Sequence, residues 1–330
     1  METIKKLPQV PASWFGIVLG LAGLGLSWRV AHRVWGMPAL IGESTLGISA
    51  MVWATLLGLF AVKWILFRCD AHAELKDAIQ STYISLIGIG TNLMAIGLYP
   101  YSQRGALALF VPATLVSVTH GVFFTSFAWS GDRHSSATTG SLYLPTVAGC
   151  FVTGTAAATL GYHGLAQLAF GAGMFSWLSI ESVILHRLYD KSEMPPEQRP
   201  SLGIQFAPAA VAAVTYLSIQ GGVPDLFSKA LLGYAILQGL VVVRLIGWIM
   251  VSPLNVRYWA FTFGAASLST ASCRTVEHGE QGALRILAPI LFIAANLIVA
   301  GVSAVTLSQL VRHLFTSRRT ERVFRDPRSA

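Results

Sequence analysis

Long apolar runs separated by short polar connections dominate the hydrophobic pattern of this chain. Each run is about 18 to 27 residues long, enough to cross a hydrocarbon core of about 30 Å as an α-helix. The strict apolar–polar alternation of lipid-spanning β-barrels is absent from the sequence. The pattern therefore predicts an all-α, polytopic membrane protein. Its ten predicted transmembrane helices lie at about residues 12–30, 44–67, 79–98, 105–129, 141–160, 163–186, 202–220, 226–250, 258–273 and 286–311.

The ten predicted helices pair into five helical hairpins with a repeat of about 60 residues. Odd-to-even connections such as GYHG (161–164) are short, whereas even-to-odd connections such as 187–201 are longer. Near the start of each odd helix, an aromatic or aliphatic residue is followed within a few positions by Gly or Pro. Because Pro145 and Pro208 each remove a backbone hydrogen bond, we expect these helices to bend near their starts.

Charged residues divide the odd from the even helices. Glu43, Lys63, Glu181 and Arg244 fall in even helices or at their ends, whereas the interiors of the odd helices are uncharged. Small and hydroxyl residues concentrate in the odd set, as in RYWAFTFGAASLSTASC (257–273). Such helices can pack closely around an axis, so we predict an inner ring of odd-numbered helices around a central pore. A tightly packed bundle without a hole would satisfy the same periodicity.

Composition supports a membrane protein and narrows its function. Apolar residues make up 54% of the chain and charged residues only 12%, and the mean hydropathy is +0.60. The three cysteines, Cys69, Cys150 and Cys273, are widely scattered and fit neither a disulfide framework nor a zinc site. Motifs of the HExxH, GxSxG and phosphate-binding-loop types are absent. We therefore expect no enzymatic activity, no cofactor and no metal ion.

The distribution of basic residues predicts the topology. The net charge of +8 is not taken as a sign of nucleic-acid binding, because many basic residues lie in short connections and in one tail. Sixteen of the 23 Lys and Arg residues fall on the side of both termini, six on the other, and Arg244 lies within the eighth helix. Both termini are thus predicted to be cytoplasmic. We expect one channel domain, 1–330, with an N-terminus at 1–10, a ten-helix pore unit at 11–315 and a basic tail at 316–330.

Two features of the ninth predicted helix bear on conduction. Its uncharged interior is bracketed by Arg257 and Arg274, and a neutral lining with positive flanks favours anions over cations. Phe263 stands beside Gly264, and a phenyl ring at such a gap has the right size to plug a pore. A buried Phe in a membrane helix is also ordinary packing, so the pattern leaves both interpretations open.

Glu181 is an acidic residue in the middle of the sixth predicted helix. A lone carboxylate inside a membrane is costly enough to require a partner or protonation. Arg244 is a possible partner, although pairing cannot be read from sequence. A structural ion pair or hydrogen bond and a proton relay are the two interpretations.

Five stretches carry a resemblance to a known family: PASWFGIVLGLAGLGLSWR (11–29), YLPTVAG (143–149), LGYHGLAQLAFGAGMFSWLSIESVILHRL (160–188), LGIQFAPAAVAAVTYLSIQGG (202–222) and YWAFTFGAAS (258–267). In this order they resemble the tellurite-resistance/dicarboxylate transporter family, which also contains the slow anion channel of plant guard cells. The resemblance implies a homotrimer in the bacterial inner membrane, with a separate pore in each subunit. It also implies that a ninth-helix phenylalanine, here Phe263, occludes the pore, and that Gly16, Pro145, Pro208 and Gly264 line it near the bends.

The function expected from these observations is passive conduction of small inorganic anions across the lipid bilayer. The alternative is a proton-coupled exporter of tellurite or C4-dicarboxylates, in which Glu181 would carry protons. A protein that binds or senses anions without transporting them is a third hypothesis. Electrical measurements across chloride and pH gradients distinguish the three.

Overall fold

The computed structural model describes residues 10–131, 137–190 and 194–323, with side chains described as far as Arg312. Within these residues the chain is helical and contains no strand, which confirms the predicted all-α, polytopic fold. The predicted N-terminal segment 1–10 lies almost entirely outside the described residues, as do 324–330 of the predicted tail. The helices are α1 (Gly16–Trp35), α2 (Ala39–Leu66), α3 (Arg68–Lys76), α4 (Gln80–Tyr83), α5 (Ser85–Leu98), α6 (Gln103–Ser130), α7 (Gly149–Thr159), α8 (His163–Tyr189), α9 (Ala207–Ile219), α10 (Leu226–Arg244), α11 (Ile246–Ile249), α12 (Ala260–Glu277) and α13 (Ala283–Val323).

Five helices, α1, α5, α7, α9 and α12, form a closed ring at the centre of the molecule. Each contacts the next in chain order, and α12 returns to contact α1. In four of these spans 67–78% of the most apolar stretch is buried inside the protein. The small residues that the sequence concentrates in the odd helices allow this close approach.

The remaining long helices, α2, α6, α8, α10 and α13, surround the ring. Each packs over the groove between two adjacent inner helices: α6, for example, contacts both α5 and α7. Only 22–33% of their most apolar stretches is buried. Large apolar side chains such as Phe175 and Leu297 are exposed on them, as expected for a surface in contact with lipid. Charged residues can therefore be accommodated only at positions that turn inward or lie at the helix ends.

Each inner helix begins after a break or a short irregular segment. The chain forms 3₁₀ turns at Ala12–Phe15, Arg199–Ile204 and Val256–Trp259, and a π-helical turn at Leu144–Ala148. A break at Ile84 separates α4 from α5. These positions coincide with the aromatic–Gly and aromatic–Pro patterns in four of the five repeats. In the ninth predicted helix the 3₁₀ turn gives way to the α-helix at Trp259–Ala260, before Gly264.

The predicted boundaries differ from the structure at several helix ends: the first helix continues to Trp35, the tenth runs from Ala283 to Val323, and three further differences bear on charged residues or on the ring. The second span begins at Ala39, so Glu43 lies inside its first turns. The eighth ends at Arg244, because the chain breaks at Leu245 before the short α11. The ninth continues to Glu277. By length and composition, nine helices of the described chain could cross a membrane. The polar α12 completes the ring as the tenth element, and the count of ten transmembrane helices stays a prediction.

A buried ion pair fixes the start of the first inner helix. Lys63 Nζ of α2 donates to Glu74 Oε2 of α3 at 2.6 Å, and both side chains are less than a tenth exposed. The other oxygen, Glu74 Oε1, accepts from the backbone N–H of Ala12 at 2.8 Å. Removing one member would leave a buried charge uncompensated, which typically costs about 3–5 kcal/mol. The start of the first inner helix is therefore held by side chains of α2 and α3.

Candidate functional site

A wide cavity opens at the N-terminal ends of the five inner helices. Its volume is about 580 Å³, and every inner span contributes to its wall. Gly16, Leu86, Val147, Pro208 and Ala260 are one lining residue from each span in turn. The irregular segments described above thus surround this cavity, where water can satisfy backbone groups that a regular helix would pair.

A second, narrow cavity lies farther along the same ring axis. Its volume is about 40 Å³, and it too is lined by all five inner helices. Gly23, Leu93, Val152, Val214 and Ser267 are one lining residue from each. The two cavities share an axis and differ more than tenfold in volume, so the ring narrows sharply between them.

Phe263 lies where the two cavities meet. Among the residues that line them, only Phe263 and Val211 belong to both walls. The ring of Phe263 reaches from α12 to α1: a Cβ added at Gly23 would lie 3.2 Å from Phe263 Cδ2. Gly23 therefore provides the space that the phenyl ring occupies. An uncharged aromatic side chain therefore stands between the two cavities.

The described lining of the two cavities contains no carboxylate. Arg257, at the outer edge of the wide cavity, is its charged residue, and the narrow cavity is lined by apolar and hydroxyl side chains. Ser267 and Thr270 are the hydroxyl residues of α12 in that wall. Ser269, by contrast, pairs with Ser27 of α1 at 2.8 Å and holds two inner helices together. The hydroxyls of the ninth predicted helix thus divide between lining the axis and packing the ring.

Of the four predicted pore-lining residues, two line the wide cavity and two line neither cavity. Gly16 and Pro208 line the wide cavity. Pro145 is buried in the π-helical turn, and its carbonyl faces Gly121 of α6, away from the axis. Gly264 faces α9, where an added Cβ would lie 2.9 Å from Phe206 Cε2. Pro145 and Gly264 thus both contact a neighbouring helix, and their role in a pore stays a prediction.

Glu181 of α8 is buried and accepts four hydrogen bonds from neutral groups. Tyr143 and Trp177 donate to Oε2 at 2.5 and 2.7 Å, and Gln205 and Tyr234 donate to Oε1 at 3.0 and 2.6 Å. The donors come from three other segments of the chain as well as from α8 itself. This carboxylate therefore ties the outer helices α8 and α10 to the inner ring.

Arg244 is not a partner of Glu181. It is exposed at the C-terminal end of α10, where a cation is favourable beside the unpaired carbonyls of the last turn. Between these two described residues there is no ion pair, and the donors around Glu181 are those named above. The suggested Glu181–Arg244 pair is wrong. Helix α10 places the arginine at its C-terminal end, and the residue of α10 that contacts the carboxylate is Tyr234.

Sequence reasoning missed three residues at this site. Tyr143 lines the wide cavity while donating to Glu181, and so connects the conduit to the buried carboxylate. Gly23 receives the ring of Phe263, and Gln205 donates to both Tyr143 and Glu181. A helical spacing of 3 to 4 residues along α12, from Phe263 through Ser267 to Thr270, was an available signal for the lining face. No comparable signal in the sequence indicates Gln205.

Comparison with known proteins gives matches over nearly the whole chain. Residues 9–307 match the family described as "Voltage-dependent anion channel". The chain is 32% identical over 316 residues to the "Tellurite resistance protein TehA homolog" of Haemophilus influenzae, which covers 96% of this chain and 95% of that protein. It is 22% identical over 326 residues to the "S-type anion channel SLAH2" of Arabidopsis thaliana, which covers 96% of this chain and 62% of that protein.

Proposed function

Because the chain belongs to the voltage-dependent anion channel family, as its motifs indicated, we propose that it conducts small inorganic anions passively across a membrane. The observation that carries the proposal is Phe263, which stands between two cavities lined by all five inner helices. A protein that only packs these helices needs no space on both sides of one side chain. The relatives named for anion channels and tellurite resistance support anions as the transported class.

The lining is suited to a partly dehydrated anion. Carboxylates, which would repel an anion across a low-dielectric passage, are absent from the described walls of both cavities. The hydroxyl group of Ser267 can donate a hydrogen bond in the narrow part, and that of Thr270, which donates to the Ala266 carbonyl at 2.8 Å, can do so by turning away from it. An anion entering from the wide cavity would exchange part of its water for these donors.

Phe263 acts in this proposal as the gate. Its ring is apolar, so it excludes an ion both by occupying the axis and by removing water from the constriction. Conduction requires the ring to rotate away from Gly23. The strain of such a movement, off the preferred rotamer and against packed neighbours, is about 1–3 kcal/mol.

Assembly and orientation belong to the same proposal. We propose a homotrimer in the bacterial inner membrane, with one pore in each subunit and both termini in the cytoplasm. The excess of basic residues on the side of the termini supports the orientation. In this orientation the wide cavity opens toward the cytoplasm, because it lies at the N-terminal ends of the inner helices.

Proton-coupled export of tellurite or C4-dicarboxylates remains the second candidate, and Glu181 is the residue that favours it. The carboxylate is one hydroxyl away from the wide cavity, through Tyr143. Both of its oxygens are occupied by donors, so a transported proton would have to displace a hydrogen bond of the network. This requirement makes passive conduction the better-supported mechanism.

Reversal potentials of purified protein in planar bilayers test the proposal, with the Phe263→Ala variant used to raise the current. Passive anion conduction gives a potential that follows the chloride gradient and is insensitive to a pH gradient. A potential that follows pH would support the proton-coupled exporter. Absence of current from the folded Phe263→Ala variant would instead support a protein that binds or senses anions without transport.

A further inference from the structure

Arg274 lies at the far end of the narrow cavity, on the same face of α12 as the gate. Phe263, Ser267 and Thr270 line that cavity, and Arg274 follows Thr270 by four residues. A spacing of four residues places a side chain on the same helix face one turn later. Arg274 is therefore about 6 Å beyond Thr270 along the helix, and about 16 Å beyond Phe263.

The contacts of Arg274 with α9 support this position independently. Its Nη1 donates to Ser218 Oγ, and the carbonyl oxygen of Val214 lies 3.5 Å from the same nitrogen. Val214 lines the narrow cavity, and Ser218 is one turn farther along α9. The guanidinium group thus spans from α12 to α9 one helical turn beyond the residues that line the narrow cavity.

The positive charge of Arg274 has no ion-pair partner among the described residues. Glu277, one turn away, is held by Arg33 through two hydrogen bonds. Other carboxylates near this end of the molecule are also engaged: Glu280 pairs with Lys229 and Glu43 with Arg29, each at 2.6 Å, and Asp225 accepts from the Ser228 N–H at 2.8 Å. A partly buried guanidinium without a carboxylate is costly unless an anion accompanies it.

We propose that Arg274 and Ser218 form an anion-binding site at the narrow end of the conduit, and that this site takes small monovalent inorganic anions such as halides or nitrate. The inference rests on the proposed conduction of anions and assigns the site that concentrates them. The guanidinium offers charge and further donors. The Ser218 hydroxyl holds it in place, since it accepts from Arg274 and donates to the Val214 carbonyl at 2.7 Å. A dicarboxylate does not match the site, because the adjoining cavity has a volume of only about 40 Å³ and its described lining adds no second cation.

Conductance in the Phe263→Ala background tests the site. Arg274→Gln should lower chloride conductance about tenfold at low ionic strength, and the loss should shrink to about twofold at molar salt, where charges are screened within about 3 Å. Arg274→Lys, which keeps the charge but loses the planar fork, should fall between the two. Arg285→Gln is the matched control: Arg285 is exposed at the start of α13, at the same end of the molecule, and should have no effect. Equal conductance of Arg274→Gln and its parent at low ionic strength would overturn the inference.

A second measurement does not depend on conduction, so it separates this inference from the proposed function. Chloride or nitrate should raise the melting temperature of the otherwise unaltered protein more than gluconate does at equal ionic strength, because a bound anion stabilises the folded state. Arg274→Gln should lose this difference. If that variant is not recovered folded, Arg274→Lys and Ser218→Ala are titrated with chloride instead. Each should raise several-fold the chloride concentration that gives half of the maximal rise in melting temperature, which is the midpoint of the titration. Identical midpoints in all folded variants refute the site even where the channel conducts, whereas a lost anion effect supports it even where no current is found.

Discussion

Shortening the side chain at position 263 should raise anion conductance, and the increase should be larger for a smaller side chain. The ring of Phe263 separates a cavity of about 580 Å³ from one of about 40 Å³ and rests against Gly23. Moving it aside costs about 0.5–1.5 kcal/mol for an unfavourable rotamer and about 1–3 kcal/mol in all when packed neighbours must shift. Since each 1.4 kcal/mol is a factor of about ten in rate, Phe263→Ala should increase conductance by about 5- to 150-fold. Phe263→Leu should give an intermediate increase.

Phe261 provides a matched control on the same helix. It is also a buried phenylalanine of α12, but its ring packs against Gly203, with Cδ2 only 2.5 Å from the position of an added Cβ. It lines an apolar groove beside α10 and α13, outside the conduit. Phe261→Leu should therefore lower the melting temperature, since it removes core packing, while it leaves conductance within about twofold of the unaltered channel.

Chloride efflux from liposomes gives the required comparison, because it reports flux per protein at a fixed gradient. The unaltered protein, both Phe263 variants and Phe261→Leu are reconstituted at equal density, and each is checked for folding by its melting temperature. Equal efflux from the unaltered protein and a folded Phe263→Ala variant would remove Phe263 from the barrier. An equal rise in Phe261→Leu would show that general loosening of α12, and not the ring at position 263, limits flow.

Three further predictions concern the packing around the conduit. Gly264→Ala should cost about 1–3 kcal/mol of stability by overpacking. Added to Phe263→Ala, it should leave chloride efflux unchanged. A lower efflux from the folded double variant than from Phe263→Ala would indicate that Gly264 lines the conduit. Glu181→Ala should destabilise by about 3 kcal/mol or more, because it removes the acceptor of four hydrogen bonds, two of them from the buried side chains of Tyr143 and Trp177; a melting temperature equal to that of the unaltered protein would contradict this. The Ser228 N–H, donating to the Asp225 carboxylate, holds the Asp225 pKa below its ordinary value of 3.8. This cap therefore stabilises α10, by about 1 kcal/mol, above that pH and is lost as the pH falls through the lowered pKa; Asp225→Asn should abolish this acid-dependent part of unfolding, and an unchanged acid profile would refute the assignment.

The division into inner and outer helices could be predicted from sequence because it is a composition effect. A charge inside a membrane must face protein or water, so uncharged helices rich in Gly and Ser separate from bulkier ones. The five-helix ring follows from that separation and the hairpin repeat. The assignment of Phe263 came from the family resemblance, since periodicity alone leaves a buried phenylalanine ambiguous.

Residue-level pairing could not be predicted, because it depends on contacts between segments far apart in the chain. Glu181 meets Gln205 from 24 residues away and Tyr234 from 53 residues away. Which face of α12 turns toward the axis decides that Phe263 lines the conduit while Gly264, the next residue, packs against Phe206. A sequence pattern that marks aromatic–Gly pairs cannot distinguish these two roles.

The placement of irregular backbone accounts for the position of the proposed gate. At the wide end, 3₁₀ and π-helical turns splay the starts of the inner helices and leave a large space that no single residue fills. Beyond these turns the five helices run regularly, and small residues bring them close enough to leave only a narrow gap. The passage is therefore tightest where the regular part begins, and Phe263 stands at that boundary, four residues into α12. A ring placed deeper would meet helices already packed too closely to let it rotate, and one placed earlier would not span the cavity. In the proposed mechanism, the transition from irregular to regular backbone thus fixes the position at which an aromatic side chain can both close the conduit and move aside.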